Sequence, residues 1–228
     1  MAAYINCMRF SRICLWLEFI ALAIGVPVLF FFTISRPLMT TSMWVGSLIA
    51  LFWLQRRPGF SWKRFWQGTD SAAARKADRA NHILGIQLLL GAVLATALVH
   101  YLDPSKMFFL PLERPGWWVI VMVLYPILSV LPQEVIYRAY FFERYQPLFP
   151  NPKALLWASA ASFGFLHILF HNWVAPLLSF LGGYFFASSY TRDRSLKWVA
   201  IEHALYGCMI FTVGLGWYFF LGAQRPLG

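Results

Sequence analysis

Long apolar runs separated by short basic segments constrain the fold of this chain more than any other feature. An α-helix needs about 20 mostly apolar residues to cross the hydrocarbon core of a bilayer. That criterion predicts an all-α, polytopic transmembrane helical bundle that forms a single integral membrane domain over residues 1–228. We expect seven spans: Ile13–Thr33, Thr41–Leu54, Ile83–Leu102, Trp117–Leu131 continuing into the polar motif that follows, Ala154–Phe170, Trp173–Tyr190 and Trp198–Leu221.

Composition agrees with a membrane protein and argues against a nucleic-acid-binding one. Hydrophobic residues make up 60% of the 228 residues and charged residues 12%, whereas about 25% of the residues of a soluble domain are charged. The net charge of +10 comes from basic residues in short segments between the apolar runs, which is the pattern of cytoplasmic loops beside anionic lipid. We therefore expect the lipid bilayer as a partner and no nucleic acid.

The segment at residues 55–80 indicates the orientation of the chain in the membrane. Its charged residues are mostly basic: Arg56, Arg57, Lys63, Arg64, Arg75, Lys76 and Arg79 against Asp70 and Asp78. By the positive-inside rule this is a cytoplasmic loop, and alternation of the spans then places the N-terminus in the cytoplasm, most simply of a bacterial inner membrane. Because aromatic and basic residues alternate near residue 62, the segment either lies on the membrane surface or forms a solvated loop.

Ionisable residues within the predicted spans are candidates for function, because a charge at the bilayer centre costs about 2.5–3.5 kcal/mol on insertion scales. Glu134 and Arg138 lie four residues apart, so they share a helix face and can pair. We expect structural roles for Glu18 and His100, which are isolated near helix ends. The full set is Glu18, His100, Glu134, Arg138, Glu143, His167, His171, Glu202 and His203.

Three of these residues combine into a possible reactive site. Glu134, His167 and His203 belong to three different predicted helices and lie at overlapping depths, so the three helices can converge on one polar pocket. A carboxylate and two histidines are sufficient for proton transfer and for water activation. Pro126 and Pro132 interrupt the helix just before Glu134 and free backbone groups beside the pocket.

The motif order across the second half of the chain resembles a known family. Over about residues 117–215 the sequence contains Gln133-Glu134-x-x-x-Arg138, Phe163-x-x-x-His167 and His203-x-x-x-Gly207. This order resembles the CAAX-protease and bacteriocin-processing (CPBP, or Abi) family of intramembrane endopeptidases. Its motifs are Glu-Glu-x-x-x-Arg, Phe-x-x-x-His, and His-x-x-x followed by asparagine or a hydrophobic residue. Residues 117–215 are accordingly the predicted catalytic core.

The resemblance implies hydrolysis of a peptide bond in a membrane protein or membrane-bound peptide. Glu134 with His167 would activate water, His203 and Gln133 would support the water or the oxyanion, and Arg138 would set the electrostatics of the pocket. The sequence predicts no cofactor. The oligomeric state is not predicted.

Two positions depart from the family's pattern and leave alternatives open. Gln133 stands where the first glutamate is usual, and Gly207 stands where asparagine is common. Glutamine cannot accept a proton as a base does, so Glu134 or Glu202 would have to replace it, unless Glu134 is only the ion-pair partner of Arg138. The alternative functions are a non-catalytic scaffold or bacteriocin-immunity protein, and a small proton-coupled transporter.

A zinc site is a further alternative. His167 and His171 are four residues apart, the spacing of a zinc-binding histidine pair on one helix face. His203 and Glu134 could complete the ligand set. No neighbouring carboxylate in the sequence is placed to orient either imidazole of the pair.

Overall fold

The computed structural model describes residues 12–33, 35–68 and 73–220. Within these ranges the chain is helical and contains no β-strand, which confirms the predicted all-α bundle. The main helices are α1 (Arg12–Thr33), α2 (Arg36–Gln55), α3 (Trp62–Gln67), α4 (Ala73–Leu102), α5 (Phe109–Glu113), α6 (Pro115–Leu148), α7 (Pro152–Phe170), α8 (Val174–Asp193) and α9 (Leu196–Val213).

Six of these helices are long and apolar enough to cross a membrane: α1, α2, α4, α6, α7 and α9. The remaining predicted span, Trp173–Tyr190, corresponds to α8, which has 20 residues but is less hydrophobic because it contains Gly182, Gly183, Ser188 and Ser189. The predicted span ending at Leu221 reaches beyond the described residues, and its helix, α9, ends at Val213. The protein is an integral membrane protein.

The predicted basic loop at residues 55–80 is partly helical. The short helix α3 lies within it, and the first residues of α4 belong to its second half. Phe60, Trp62 and Phe65 pack against one another with ring centroids 5.0–5.7 Å apart. Asp70 and the side chains of residues 75–79 lie outside the described part of the chain. The position of this segment on the cytoplasmic side remains a prediction.

Local sequence signals define the ends of α7 and α9. Before α7, the Asn151 side chain accepts a hydrogen bond from the Ala154 N–H at 2.8 Å, and Pro152 occupies the first turn, where no intrahelical donor is needed. Ser195 caps α9 in the same way through the Trp198 N–H at 3.3 Å. Gly214 ends α9 at φ +116°, a left-handed conformation that favours glycine.

Helix α6 passes through Pro126 and Pro132 without breaking, but it widens into π-helical turns at Pro126–Val130 and Val135–Tyr140. A π-turn leaves some carbonyl groups without their usual intrahelical donor. The Leu128 carbonyl instead accepts a hydrogen bond from the Trp44 indole of α2 at 3.2 Å. The freed backbone group is therefore satisfied by a neighbouring helix, as a membrane interior requires.

The centre of the bundle is formed by α6, α7, α8 and α9, with α1, α2 and α4 around it. Glu18 joins α1 to α6, accepting hydrogen bonds from Tyr140 at 2.9 Å, Tyr145 at 3.1 Å and the Arg144 Nε at 3.0 Å. These hydrogen bonds agree with the structural role expected for Glu18. They also show that Glu18 is not isolated, because its partners come from a distant part of the sequence. Large apolar side chains on the outer helices, such as Leu17 and Leu94, are exposed and suited to contact lipid.

Helices α7 and α8 approach each other closely at two glycines. A Cβ at Gly164 would lie 2.8 Å from the Cβ of Phe180, and one at Gly183 would lie 3.2 Å from the Ala160 backbone. Close approach through small residues is the usual way for membrane helices to gain packing contacts. This contact positions the part of α7 that leads into His167.

We expect Gly164→Ala to destabilise the protein by about 1–3 kcal/mol, because the added methyl group has to displace the Phe180 backbone. Gly85→Ala on α4 is the matched control, since a Cβ there meets nothing within 4 Å. Thermal unfolding of both variants in detergent micelles measures the difference. Equal melting temperatures would contradict the tight α7–α8 contact.

Candidate active site

A cavity of about 470 Å³ lies among α2, α4, α6, α7, α8 and α9, and most of its wall is apolar. The polar exceptions include Gln133 and Tyr125 of α6, His167 of α7 and His203 of α9. The two histidines predicted to act together therefore face the same space. Aromatic and aliphatic side chains surround them, so any charge that develops in this cavity is poorly screened by water.

The position of His167 follows from the end of the regular part of α7. The α-helix tightens into a 3₁₀ turn at His167–Phe170, and the imidazole Nδ1 lies 2.7 Å from the Phe163 carbonyl oxygen. A carbonyl oxygen only accepts hydrogen bonds, so Nδ1 carries the proton in this contact. The Nε2 atom of the neutral ring is then free to accept a proton.

His203 is held between two partners. Its Nδ1 lies 2.7 Å from the Glu134 carboxylate Oε1, and its Nε2 lies 3.1 Å from the Tyr125 hydroxyl oxygen. Its ring also stacks on Phe186, with centroids 4.4 Å apart and planes inclined by 20°. Because an ionised carboxylate only accepts, Nδ1 donates to Glu134, and in the neutral tautomer Nε2 then accepts from Tyr125. The ring orientation is thus fixed at both nitrogens and on one face.

Arg138 and Glu134 form an ion pair with both side chains fully buried. The Arg138 Nε lies 3.3 Å from the Glu134 Oε2, which confirms the predicted contact, although the angle is not that of a hydrogen bond. Arg138 Nη1 donates to the Tyr137 carbonyl and the Ser159 hydroxyl, both at 3.2 Å. Its guanidinium also lies 5.0 Å from the Phe163 ring centroid. The cation is therefore compensated by one carboxylate, two oxygen acceptors and an aromatic face.

Gln133 and Glu134 face different environments. Gln133 lines the cavity, and its amide donates to the Ser129 hydroxyl at 2.8 Å. Glu134 does not line the cavity and lies behind His203. Consecutive helical residues point about 100° apart, and the π-turn that could rotate them begins only at Val135. The geometry therefore argues against direct water activation by Glu134, whose carboxylate reaches the cavity only through His203.

The second substitute base considered, Glu202, also lies away from the cavity. It is buried and lies near Ser189 of α8, because its place in α9 directs it to a different side from His203. Glu143 pairs with Arg194 at 3.7 Å, where both side chains are partly exposed. Neither carboxylate can contact a molecule held between the two histidines.

The histidine pair considered for zinc does not form. The spacing argument assumes a continuous α-helix, but the 3₁₀ turn precedes His171, which adopts the left-handed conformation at φ +57°. The His171 ring contacts Phe31 of α1 with centroids 4.2 Å apart and does not line the cavity. Among the described residues, no group of three or more histidine, cysteine, aspartate or glutamate side chains is arranged to hold a metal ion.

Tyr125 is the functional candidate that the sequence did not indicate. Its hydroxyl group contacts His203 and its ring packs against Phe211, with centroids 5.2 Å apart. It lies outside the three motifs, and no spacing relates it to α9. Its position immediately before Pro126 is the only local signal, since Pro126 begins the π-turn that ends the regular helix.

The comparison with known families agrees with the site geometry. Residues 115–209 match the sequence model of the family described as Type II CAAX prenyl endopeptidase Rce1-like. No curated protein and no solved structure matches the chain. The matched region begins with α6 and includes Gln133, Glu134, Arg138, His167 and His203. The part of the chain that carries the candidate site is therefore similar to this Rce1-like family.

Proposed function

We propose that this protein is an intramembrane endopeptidase that hydrolyses a peptide bond of a membrane-associated protein or peptide. The observation that carries the proposal is the pair of histidines facing one apolar cavity, of which His167 has a free Nε2. A free imidazole nitrogen beside a space large enough for a peptide group is the requirement for general-base hydrolysis.

In the proposed reaction, His167 Nε2 takes a proton from a water molecule in the cavity. The resulting hydroxide attacks the carbonyl carbon of the peptide bond and forms a tetrahedral oxyanion. The His167 imidazolium then returns its proton to the leaving nitrogen, so that the bond breaks into a carboxylic acid and an amine. The hydrogen bond from Nδ1 to the Phe163 carbonyl keeps the required tautomer in place.

Glu134 and Arg138 are positioning residues in this mechanism. Glu134 fixes the orientation and tautomer of His203 through the 2.7 Å contact, and Arg138 compensates the Glu134 carboxylate in an apolar environment. Gln133 faces the cavity and can hold the water or the oxyanion through its amide. These side chains supply the proposed chemistry without a cofactor.

The apolar cavity wall supports a substrate with a hydrophobic portion. The description of the matching family names prenyl CAAX endopeptidases, so a peptide ending in a prenylated cysteine motif is one substrate class to examine. An unmodified membrane-spanning peptide is the other. We also propose a bacterial inner-membrane location, with the N-terminus and the basic segment at residues 55–80 in the cytoplasm.

His167→Ala is expected to reduce peptide cleavage by about 10²–10⁴-fold, the usual contribution of a general base. The assay compares purified proteins in liposomes with prenylated and unmodified membrane peptides, and the products are identified by mass spectrometry. His100→Ala is the matched control, because His100 is an exposed histidine of α4 that does not line the cavity. Full activity of His167→Ala would contradict the proposed mechanism.

Gln133→Glu is expected to change the cleavage rate by less than about tenfold. The new carboxylate would enter the cavity, but the proposed base is His167, and a second charge in an apolar site is disfavoured. The same peptide assay measures this variant beside the wild type. If the wild type is inert and Gln133→Glu cleaves, the second candidate function, a non-catalytic scaffold, is preferred. The observation that favours a scaffold is that an amide, which cannot act as a base, occupies this cavity-facing position.

Arg138→Ala is expected to destabilise the protein by about 3–5 kcal/mol, because it leaves the fully buried Glu134 carboxylate without its cation. Arg194→Ala, which breaks a partly exposed pair, should cost about 1 kcal/mol or less. The double variant Glu134→Gln/Arg138→Ala should regain part of the loss, since it also removes the buried negative charge. Thermal unfolding in detergent compares the three variants, and wild-type stability of Arg138→Ala would overturn the assignment.

A further inference from the structure

The Tyr125 side chain occupies the space beside Gly207. A Cβ built at position 207 would overlap the ring and the hydroxyl group of Tyr125. Position 207 lies one helical turn after His203 on α9 and lines the same cavity. Because Gly207 has no side chain, Tyr125 of α6 can occupy the space that a side chain at position 207 of α9 would otherwise fill.

The hydroxyl group in this space lies at the cavity, beside His203. Tyr125 lines the cavity, and its oxygen lies 3.1 Å from His203 Nε2. Side-chain contacts thus connect Arg138, Glu134, His203 and Tyr125 in that order, from the fully buried ion pair to the cavity. Tyr125 is the last member of this chain, and, like His203, it lines the cavity where a bound peptide would lie.

Peptide hydrolysis needs a hydrogen-bond donor for the oxygen that becomes negatively charged in the transition state. The Gln133 amide has two N–H donors, which point to the Ser129 hydroxyl at 2.8 Å and to the Met43 sulfur at 3.9 Å, so it can offer an oxyanion only the second, weakly held one. In the neutral tautomers, neither His167 Nε2 nor His203 Nε2 carries a proton. The Tyr125 hydroxyl has one proton and can turn about its C–O bond. A donor that turns from the neutral His203 to an oxyanion exchanges a neutral hydrogen bond for a charge-assisted one, which is roughly twice as strong.

We propose that Tyr125 is a catalytic residue that donates its hydroxyl hydrogen bond to the oxyanion, and that Gly207 provides the space for it. This inference rests on the proposed endopeptidase function. No bond to Tyr125 forms or breaks: the phenol keeps its proton, and His203 keeps its neutral state. His203 is the resting acceptor that holds the hydroxyl in place until the substrate carbonyl becomes charged.

The first test is Tyr125→Phe, which removes the hydroxyl group and leaves the ring beside Gly207. We expect kcat to fall by about 10²–10³-fold, the usual loss for one oxyanion donor, with little change in KM. Tyr184→Phe is the matched control, because Tyr184 packs against Trp157 and does not line the cavity. Wild-type kcat for Tyr125→Phe overturns the inference.

The second test asks whether a donor from the other helix can replace the hydroxyl group. Tyr125→Ala empties the space, and Tyr125→Ala/Gly207→Asn places an amide donor there from α9. We expect the asparagine double variant to cleave at least about tenfold faster than Tyr125→Ala alone. Tyr125→Ala/Gly207→Leu fills the space with an apolar side chain of similar size and should not recover activity. Equal recovery by leucine and asparagine shows that only filling matters and overturns the inference.

The two proposals fail in different ways in the same assay. If His167→Ala is inactive while Tyr125→Phe cleaves normally, the endopeptidase function stands and the role of Tyr125 is overturned. If the wild type cleaves neither the prenylated nor the unmodified peptide, both proposals fail. Melting temperatures of all variants in detergent separate loss of chemistry from loss of folding.

Discussion

The Glu134 carboxylate is the group on which the rest of the site depends. It is fully buried, with Arg138 on one side and His203 on the other, so it links two positions of α6 to α9 in the interior of the bundle. An ionised carboxylate in an apolar environment is stable only when such partners compensate it. Because each partner needs a defined geometry, this one charge fixes the spacing of the helices and the direction of the His203 ring.

Aromatic packing supports the same arrangement. The Phe163 ring contacts both histidines, with centroids 4.9 Å from His167 and 5.6 Å from His203, and it also contacts the Arg138 guanidinium. Phe186 stacks on the opposite side of the site, against His203. These rings exclude water around the polar groups, which strengthens each electrostatic contact. They also restrict the motion of both imidazoles, which a site for proton transfer requires.

Gln133 and Glu134 are adjacent in α6, but their side chains face different surroundings. Gln133 belongs to the cavity face of α6, while Glu134 belongs to the face that packs against α9. The carboxylate is therefore available for structure and for orienting His203, whereas the cavity receives an amide. The proposed reaction therefore uses a base from another helix, His167 of α7, which lines the same cavity.

The sequence alone determined the class of fold and suggested most members of the candidate site. Apolar runs longer than a bilayer span predict helices directly, because an unsatisfied backbone cannot exist in lipid, and the i, i+4 spacing of Glu134 and Arg138 already predicted their pairing. Only the tertiary structure decided which way each side chain faces. The 3₁₀ turn at His167–Phe170 directs His171 away from the cavity, and the contact of Tyr125 with His203 crosses 78 positions of sequence. Such facts depend on helix rotation and on packing between distant segments, which local periodicity does not encode.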